Sequence, residues 1–351
     1  MSIIDKPSDY FNTILYTGTG STTNITGVGF NPDLVWIKCR SNAVTDNVLF
    51  DRVRGAGQRL VSNDTGAEET QTGIMSAFVT DGVTVGGGDA SNGSSKTYAM
   101  WNWLAGGTAS SNTDGSITSS VSANTTSGFS IVSYTGNGSA NQSVGHGLGA
   151  TPKIILIKNR TTAGYWCMTN PRFVSVSDTN ILYLQTIFAE ADDTNINGTT
   201  APSSTVFGVD DYGAVNTSEN AHIAYCWSEI PSYSKFGTYV GNGDADGTFV
   251  YTGFKPAYVM VKAATATGYW LIKDNKRTNP FNVIDGNLYA QINSAEDTGS
   301  NAYMDFTSQG FKLRGNYAAM NASGQTNIYM AFAEQPFTTS TTNGSIPATA
   351  R

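Results

Sequence analysis

Short apolar runs, rich in β-branched and aromatic residues, alternate along the whole chain with polar stretches of Gly, Ser, Thr and Asn. Leu34-Val35-Trp36-Ile37, Ile154-Ile155-Leu156-Ile157 and Tyr258-Val259-Met260-Val261 are such runs, each preceded by a proline and bounded by polar loops, which is a strand signal. Val48-Leu49-Phe50, Tyr165-Trp166-Cys167-Met168 and Tyr269-Trp270-Leu271-Ile272 predict a following strand. A pair of strands ends each block, its first member being Asp81–Val85, Thr205–Val209 or Gln309–Leu313. No segment of 11 or more residues keeps a 3.6-residue period between capping signals, so long helices are not expected. The pattern predicts an all-β protein.

The pattern occurs three times. Tyr16-Thr17-Gly18-Thr19-Gly20 returns as Tyr134-Thr135-Gly136-Asn137-Gly138 and as Tyr239-Val240-Gly241-Asn242-Gly243. Pro32 to Lys38, Pro152 to Lys158 and Pro256 to Lys262 follow at matching offsets. A small-acidic patch comes next: Ala67-Glu68-Glu69, Ala189-Glu190-Ala191-Asp192 or Ala295-Glu296-Asp297, each a candidate for one helical turn. The copies close on aromatic strands at Trp103, Trp227 and Phe332, which lie 87, 93 and 93 residues after their opening tyrosines. Units of this size can hold their own cores, unlike solenoid repeats of roughly 20–50 residues. The expected architecture is three tandem β-sandwich domains, jelly-roll or lectin-like, at 1–107, 128–236 and 237–337. The Ser/Thr/Gly-rich stretch 108–127 reads as a linker or surface strap, and 338–351 as a polar tail. Because Trp101 and Trp103, Tyr225 and Trp227, and Met330 and Phe332 each share one face of a strand, they are expected to form the core of their own domain.

Charged residues make up 13% of the chain and the net charge is −7, so no basic stripe for nucleic acid is present. Cys39, Cys167 and Cys226 fall at non-equivalent places and predict buried fillers rather than a disulfide framework. The N-terminus lacks a secretory pattern and no stretch approaches a membrane span of roughly 20 apolar residues, so membrane insertion is not expected.

The carboxylates Glu68/Glu69, Glu190/Asp192 and Glu296/Asp297 are glycosidase candidates by residue type, yet their recurrence in every copy favours a structural or surface role. His146 and His222 have no repeat counterparts and form no triad by spacing. Gly86-Gly87-Gly88 lacks the lysine and helix of a phosphate loop. Asn242-Gly243-Asp244-Ala245-Asp246-Gly247 copies half of a calcium loop, but Gly253 stands where its glutamate belongs, which favours an Asx-type turn. Tyr165-Trp166 and Tyr269-Trp270 are the aromatics most suited to gripping sugars, although one of each pair must face inward. No catalytic residue, metal ligand or cofactor is assigned.

Tyr-Thr-Gly-x-Gly, the run Gly29 to Lys38, Trp101-Asn102-Trp103, Ile328 to Glu334 and the ending Pro347 to Arg351 together resemble a modular family of virion proteins from marine bacteriophages, cyanophages among them. The resemblance covers essentially the whole chain; copy two departs most, with Leu148 to Pro152 in place of Gly-Phe-x-Pro. It implies a phage particle component of tail-fibre or structural type, assembled in the host cytoplasm and released by lysis, and it transfers no catalytic residues. The expected function is a non-enzymatic structural protein on the particle surface, a capsid decoration or short appendage that also adheres to host surface glycans. Its partners would be other virion proteins and a host receptor, and a homo-oligomer, in particular a trimer, is expected. A receptor-binding tail fibre and a polysaccharide depolymerase are the alternatives.

Overall fold

The computed structural model describes residues 4–169, 180–277, 281–299, 301–336, 338–341 and 344–347. The chain is all-β, built from several antiparallel sheets, none of them closed. Each copy of the sequence pattern contributes one large sheet. In the first copy the spatial order is Phe11–Thr17, Thr97–Trp103, Leu34–Cys39, Val48–Asp51, Gln58–Val61 and Glu69–Thr70. In the second it is Phe129–Thr135, Ala221–Trp227, Ile154–Asn159, Trp166–Thr169, Asn180–Tyr183 and Ala191–Asp192. The third repeats that order with Ser234–Val240, Thr326–Pro336, Phe254–Ala263, Trp270–Asp274 and Leu288–Tyr289. In every copy the opening and closing strands are therefore neighbours, and the proline-to-lysine strand lies beside the closing strand.

A smaller sheet covers one face of each large one: Thr23–Thr26, Gly82–Val85 and Met75–Val79 in the first copy, Gln142–Gly145 with Val206–Val209 in the second, and Phe249–Tyr251, Gly310–Leu313 and Met304–Thr307 in the third. The apolar side chains between the two sheets make a separate core in each copy. Val35, Ile37, Phe50 and Met100 meet Ile25, Val83 and Val85; Ile155, Ile157 and Ala224 meet Val144 and Phe207; Val259, Val261 and Ala331 meet Val250 and Phe311.

The opposite faces of the three large sheets converge on one further core. Leu34, Trp36, Trp101 and Trp103 from the first copy, Ile154, Leu156, Tyr225 and Trp227 from the second, and Tyr258, Met260, Met330 and Phe332 from the third belong to a single buried cluster. This corrects the expectation that the closing aromatics pack within their own domains. They do share a strand face, but that face is joined to the other two copies: Trp103 lies edge-on to Trp227 at 6.2 Å and to Phe332 at 5.8 Å. The proline-to-lysine runs are continuous rather than alternating because both faces are buried. Each buried aromatic contributes roughly 2–3 kcal/mol. The void left at the centre is about 20 Å³ and lined only by apolar side chains, too small and too dry for a ligand.

The segment 108–127 differs from the linker reading. Ser119–Asn124 pairs antiparallel with Phe129–Thr135, and Ser110–Asn112 pairs with Ser119–Asn124, extending the second large sheet to eight strands. Few apolar residues are needed to hold it. Ile117 and Val121 bury on the second core while the ladder satisfies the polar backbone. In the tail, Thr338–Thr341 pairs with Gly344–Pro347.

The repeated Tyr-x-Gly-x-Gly motif is a turn device. Tyr16, Tyr134 and Tyr239 donate their phenolic hydrogens to the carbonyls of Ser91, Val215 and Met320 at 2.5, 2.6 and 2.7 Å. The amides of Gly20, Gly138 and Gly243 then donate to Asn92, Asn216 and Asn321 carbonyls, at φ of 73°, 68° and 73°, a region that favours glycine.

Candidate functional site

Buried polar groups line the seams between copies, and the seams run in a closed cycle. Lys158 of the second copy donates to the Thr65 carbonyl of the first at 3.2 Å, Lys262 of the third to Ile187 of the second at 3.4 Å, and Lys38 of the first to Ile292 of the third at 3.0 Å. The amides of the acidic patches repeat the cycle: Glu68 donates to Arg160 O, Glu190 to Ala264 O and Glu296 to Arg40 O, at 2.9, 2.8 and 2.8 Å. The indole of Trp166 donates to Val61 O at 2.8 Å and that of Trp270 to Tyr183 O at 3.2 Å. Asn47 stands in the equivalent place of the first copy, directly before Val48, and donates to the carbonyls of Tyr289, Ala290 and Ile292. One chain thus makes a head-to-tail ring of three, the closing case of a heterologous interface. Burial pushes Lys38 and Lys262 down to about 7 and Lys158 down to about 8, and the charges of Asp46 and Asp64 only partly offset that desolvation at Lys38 and Lys158.

Two seams share an ionic cluster. Between the first and second copies, Arg54 pairs with Asp51 and reaches Glu68 at 3.0 Å, Arg160 binds both Glu68 oxygens at 2.9 and 2.8 Å, and Tyr225 donates to Asp51. Between the third and first, Arg277 binds Asp274 at 2.7 Å and Glu296 at 2.8 Å, Arg40 binds Glu296 at 2.7 Å, and Trp101 donates to Asp274. Although burial opposes it, the hydrogen bonds and charges of Arg160 and Arg54 hold the Glu68 carboxyl below the usual carboxylate range. Glu68 and Glu296 therefore each bridge two guanidinium groups, and the lowered carboxyl of Glu68 is unlike a protonated general acid. The patches form no helical turn: Glu69–Thr70 and Ala191–Asp192 are two-residue edge strands, and Asp297 bridges Asn287. Sequence reasoning missed Asp51, Arg54, Asp274 and Arg277. The shared Asp-x-x-Arg spacing that starts at the last residue of Val48–Asp51 and of Trp270–Asp274 was the available signal.

The seam between the second and third copies differs. Ala264 takes the place of Arg160 and Arg40, and Met330 the place of Tyr225 and Trp101. Here a surface cleft of about 280 Å³ opens, lined by Ile187, Thr267, Gly268, Tyr269, Tyr317 and two alanines, with no charged side chain in its lining among the described residues. Trp270 is buried, whereas Tyr269 is half-buried and packs edge-on to Tyr289 at 5.1 Å. The neighbouring pair splits the same way: Trp166 is buried and Tyr165 is 40% exposed. Tyr317 sits at the N-cap of the four-residue helix Ala318–Asn321. Phe188, beside the rim residue Ile187, is 60% exposed.

The family DUF7483, described as a domain of unknown function, matches residues 6–336. The chain belongs to it. No curated protein and no solved structure matches the chain. The match spans all three copies in this DUF7483 chain, and the whole ring lies within the matched residues.

The remaining candidates in the DUF7483 chain are engaged within the fold. His146 is buried, with Nδ1 accepting from the Leu148 amide at 3.2 Å, and burial lowers it. His222 stacks on Tyr134 at 5.1 Å and burial lowers it to about 4. Asn242 accepts from the Asp244 amide and Asp244 from the Asp246 amide, as in consecutive Asx turns, and Asp246 pairs with Lys312 at 2.9 Å. Gly86 and Gly87 have no room for a side chain, since an added Cβ would lie 2.1 Å from Gly73 O and 2.5 Å from Gly20 O. Cys39, Cys167 and Cys226 are buried free thiols.

Proposed function

We propose that the chain is a non-enzymatic structural protein of a bacteriophage particle surface, a capsid decoration or short appendage made of three tandem β-sandwich modules. The observation that carries this reading is the use of Glu68 and Glu296: the carboxylates best placed by type for glycan hydrolysis bridge arginines between modules. Their chemistry rigidifies a ring. Sequence resemblance to modular phage virion proteins supports the particle, and the sparse charge supports weak polar contacts with neighbouring virion proteins or host glycans. Several copies on one particle would add avidity of about 10²–10⁴-fold without a strong single site.

Immunogold labelling of intact particles from a phage that encodes this chain tests the proposal. Labelling on the head or tail surface is the expected result. Absence of the protein from purified particles overturns it, as does release of reducing ends from host polysaccharide by the purified protein.

A further inference from the structure

We propose that the cleft between the second and third copies is a binding site for an uncharged saccharide, with Tyr269 and Tyr317 as stacking surfaces. The inference rests on the surface-display reading above and adds the ligand class.

Three observations carry it. The first is the departure from threefold equivalence. The other two seams hold Arg160 with Glu68 and Arg40 with Glu296, whereas this one has Ala264 and an uncharged lining. A charged ligand would find no counter-ion there, and an uncharged one pays no ionic desolvation. The second is the exposure of the aromatic rings. Tyr269 and Tyr317 are half-buried, which leaves ring surface open, and Tyr269 is braced by Tyr289. Braced aromatic rings lose little conformational freedom when they take up the C–H face of a pyranose. The third is the balance of groups. The two phenols and the Thr267 hydroxyl supply hydrogen-bonding atoms beside Ile187, Ala318 and Ala319, the mixture of apolar wall and few polar points typical of a small-molecule site. The backbone holds both walls together: Gly268 donates to Ile187 O at 2.8 Å across the seam. An added Cβ on Gly268 would lie 2.9 Å from Ala263 Cβ, so the close approach needs glycine.

Saturation-transfer NMR on the full-length protein with neutral maltohexaose, galacto-oligosaccharide and chitohexaose, against polygalacturonate, tests the site. Transfer to ring C–H protons of at least one neutral probe is expected, with about tenfold weaker binding for Tyr269→Ala and for Tyr317→Ala. Ala318→Trp, at an exposed position on the rim, should block the cleft and abolish transfer while leaving the melting midpoint unchanged. Phe249→Ala, an exposed aromatic outside the cleft, should bind like the parent. No transfer from any neutral probe, transfer unchanged in Ala318→Trp, or preferential binding of polygalacturonate overturns the proposal. The assay uses purified protein, so its outcome is separate from that of particle labelling.

Discussion

The phenol of Tyr225 donates to Asp51 Oδ2 at 2.7 Å, joining the closing strand of one copy to the strand Val48–Asp51 of the copy before it. Asp51 is buried and also holds Arg54 through both side-chain and backbone bonds. Trp101 and Asp274 repeat the relationship at the opposite end of the chain, with an indole in place of the phenol. A buried carboxylate that anchors an arginine and receives a hydrogen bond across the seam is a point at which one substitution disturbs two copies.

Asp51→Ala should destabilise the protein by about 3–5 kcal/mol, because it leaves the Arg54 guanidinium buried without its nearest anion. Asp274→Ala should cost a similar amount through Arg277. Tyr225→Phe should cost only about 1.5–3 kcal/mol, the range for one hydrogen bond to a charged group. Chemical denaturation midpoints check the order, and a cost for Asp51→Ala below that of Tyr225→Phe would contradict it.

The shared core predicts cooperative melting. Trp103 packs against both Trp227 and Phe332, and all three belong to one buried cluster, so no copy can unfold without exposing apolar surface on the others. Calorimetry should give one transition with equal calorimetric and van't Hoff enthalpies, whereas three resolved transitions would mean independent modules. Trp103→Ala should cost about 3–5 kcal/mol and shift that single transition as a whole.

Stability should rise with pH from about 7 to 8.5. Lys38, Lys158 and Lys262 have folded values of about 7, 8 and 7, below the unfolded lysine value, so the unfolded chain binds more protons in this window. Below about pH 7 the cost of the buried charges is complete, and it is relieved as the amines deprotonate. Lys262→Met should remove up to one proton's share of the slope, at most about 1.4 kcal/mol per pH unit. Urea titrations at several pH values measure it, and an unchanged slope in the variant would count against the assignment.

Glu68 acts with the same sign in a more acidic window. Its folded value is lowered by Arg160 and Arg54, so its contribution is complete above the unfolded glutamate value and is lost as pH falls through the folded one. Glu68→Gln should therefore lower stability by about 2 kcal/mol at pH 7 and by much less at pH 3. An equal loss at both pH values would place the effect in packing rather than charge.

Strand positions and the triplication were legible from the sequence, because apolar runs of β-branched residues and repeated landmarks are local signals. Which neighbour covers each face was not. Trp101 and Trp103 were visible as one face of a strand, but a face buried against another copy has the same pattern as one buried within its own. The strands at 110–112 and 119–124 were hidden for a related reason: Ile117 and Val121 are few, and the ladder to Phe129–Thr135 is a backbone property that composition does not display. The seam arginines were equally silent, since Arg54 and Glu68 meet Arg160 only after the copies close on one another. Within the aromatic dipeptides, strand parity required one residue in and one out, and the structure places the indoles inside and Tyr165 and Tyr269 toward solvent.

Lys38 grips the carbonyl of Ile292, one of several bonds that join the first copy to the third. An open array can gain or lose a unit and merely change in length. Here a fourth unit would have no vacant place to dock, and two would leave a wedge of tryptophan facing water. Closure thus fixes the number of units that this ring can seat, and only the seam at Ala264 lacks the bridging arginine of the other two.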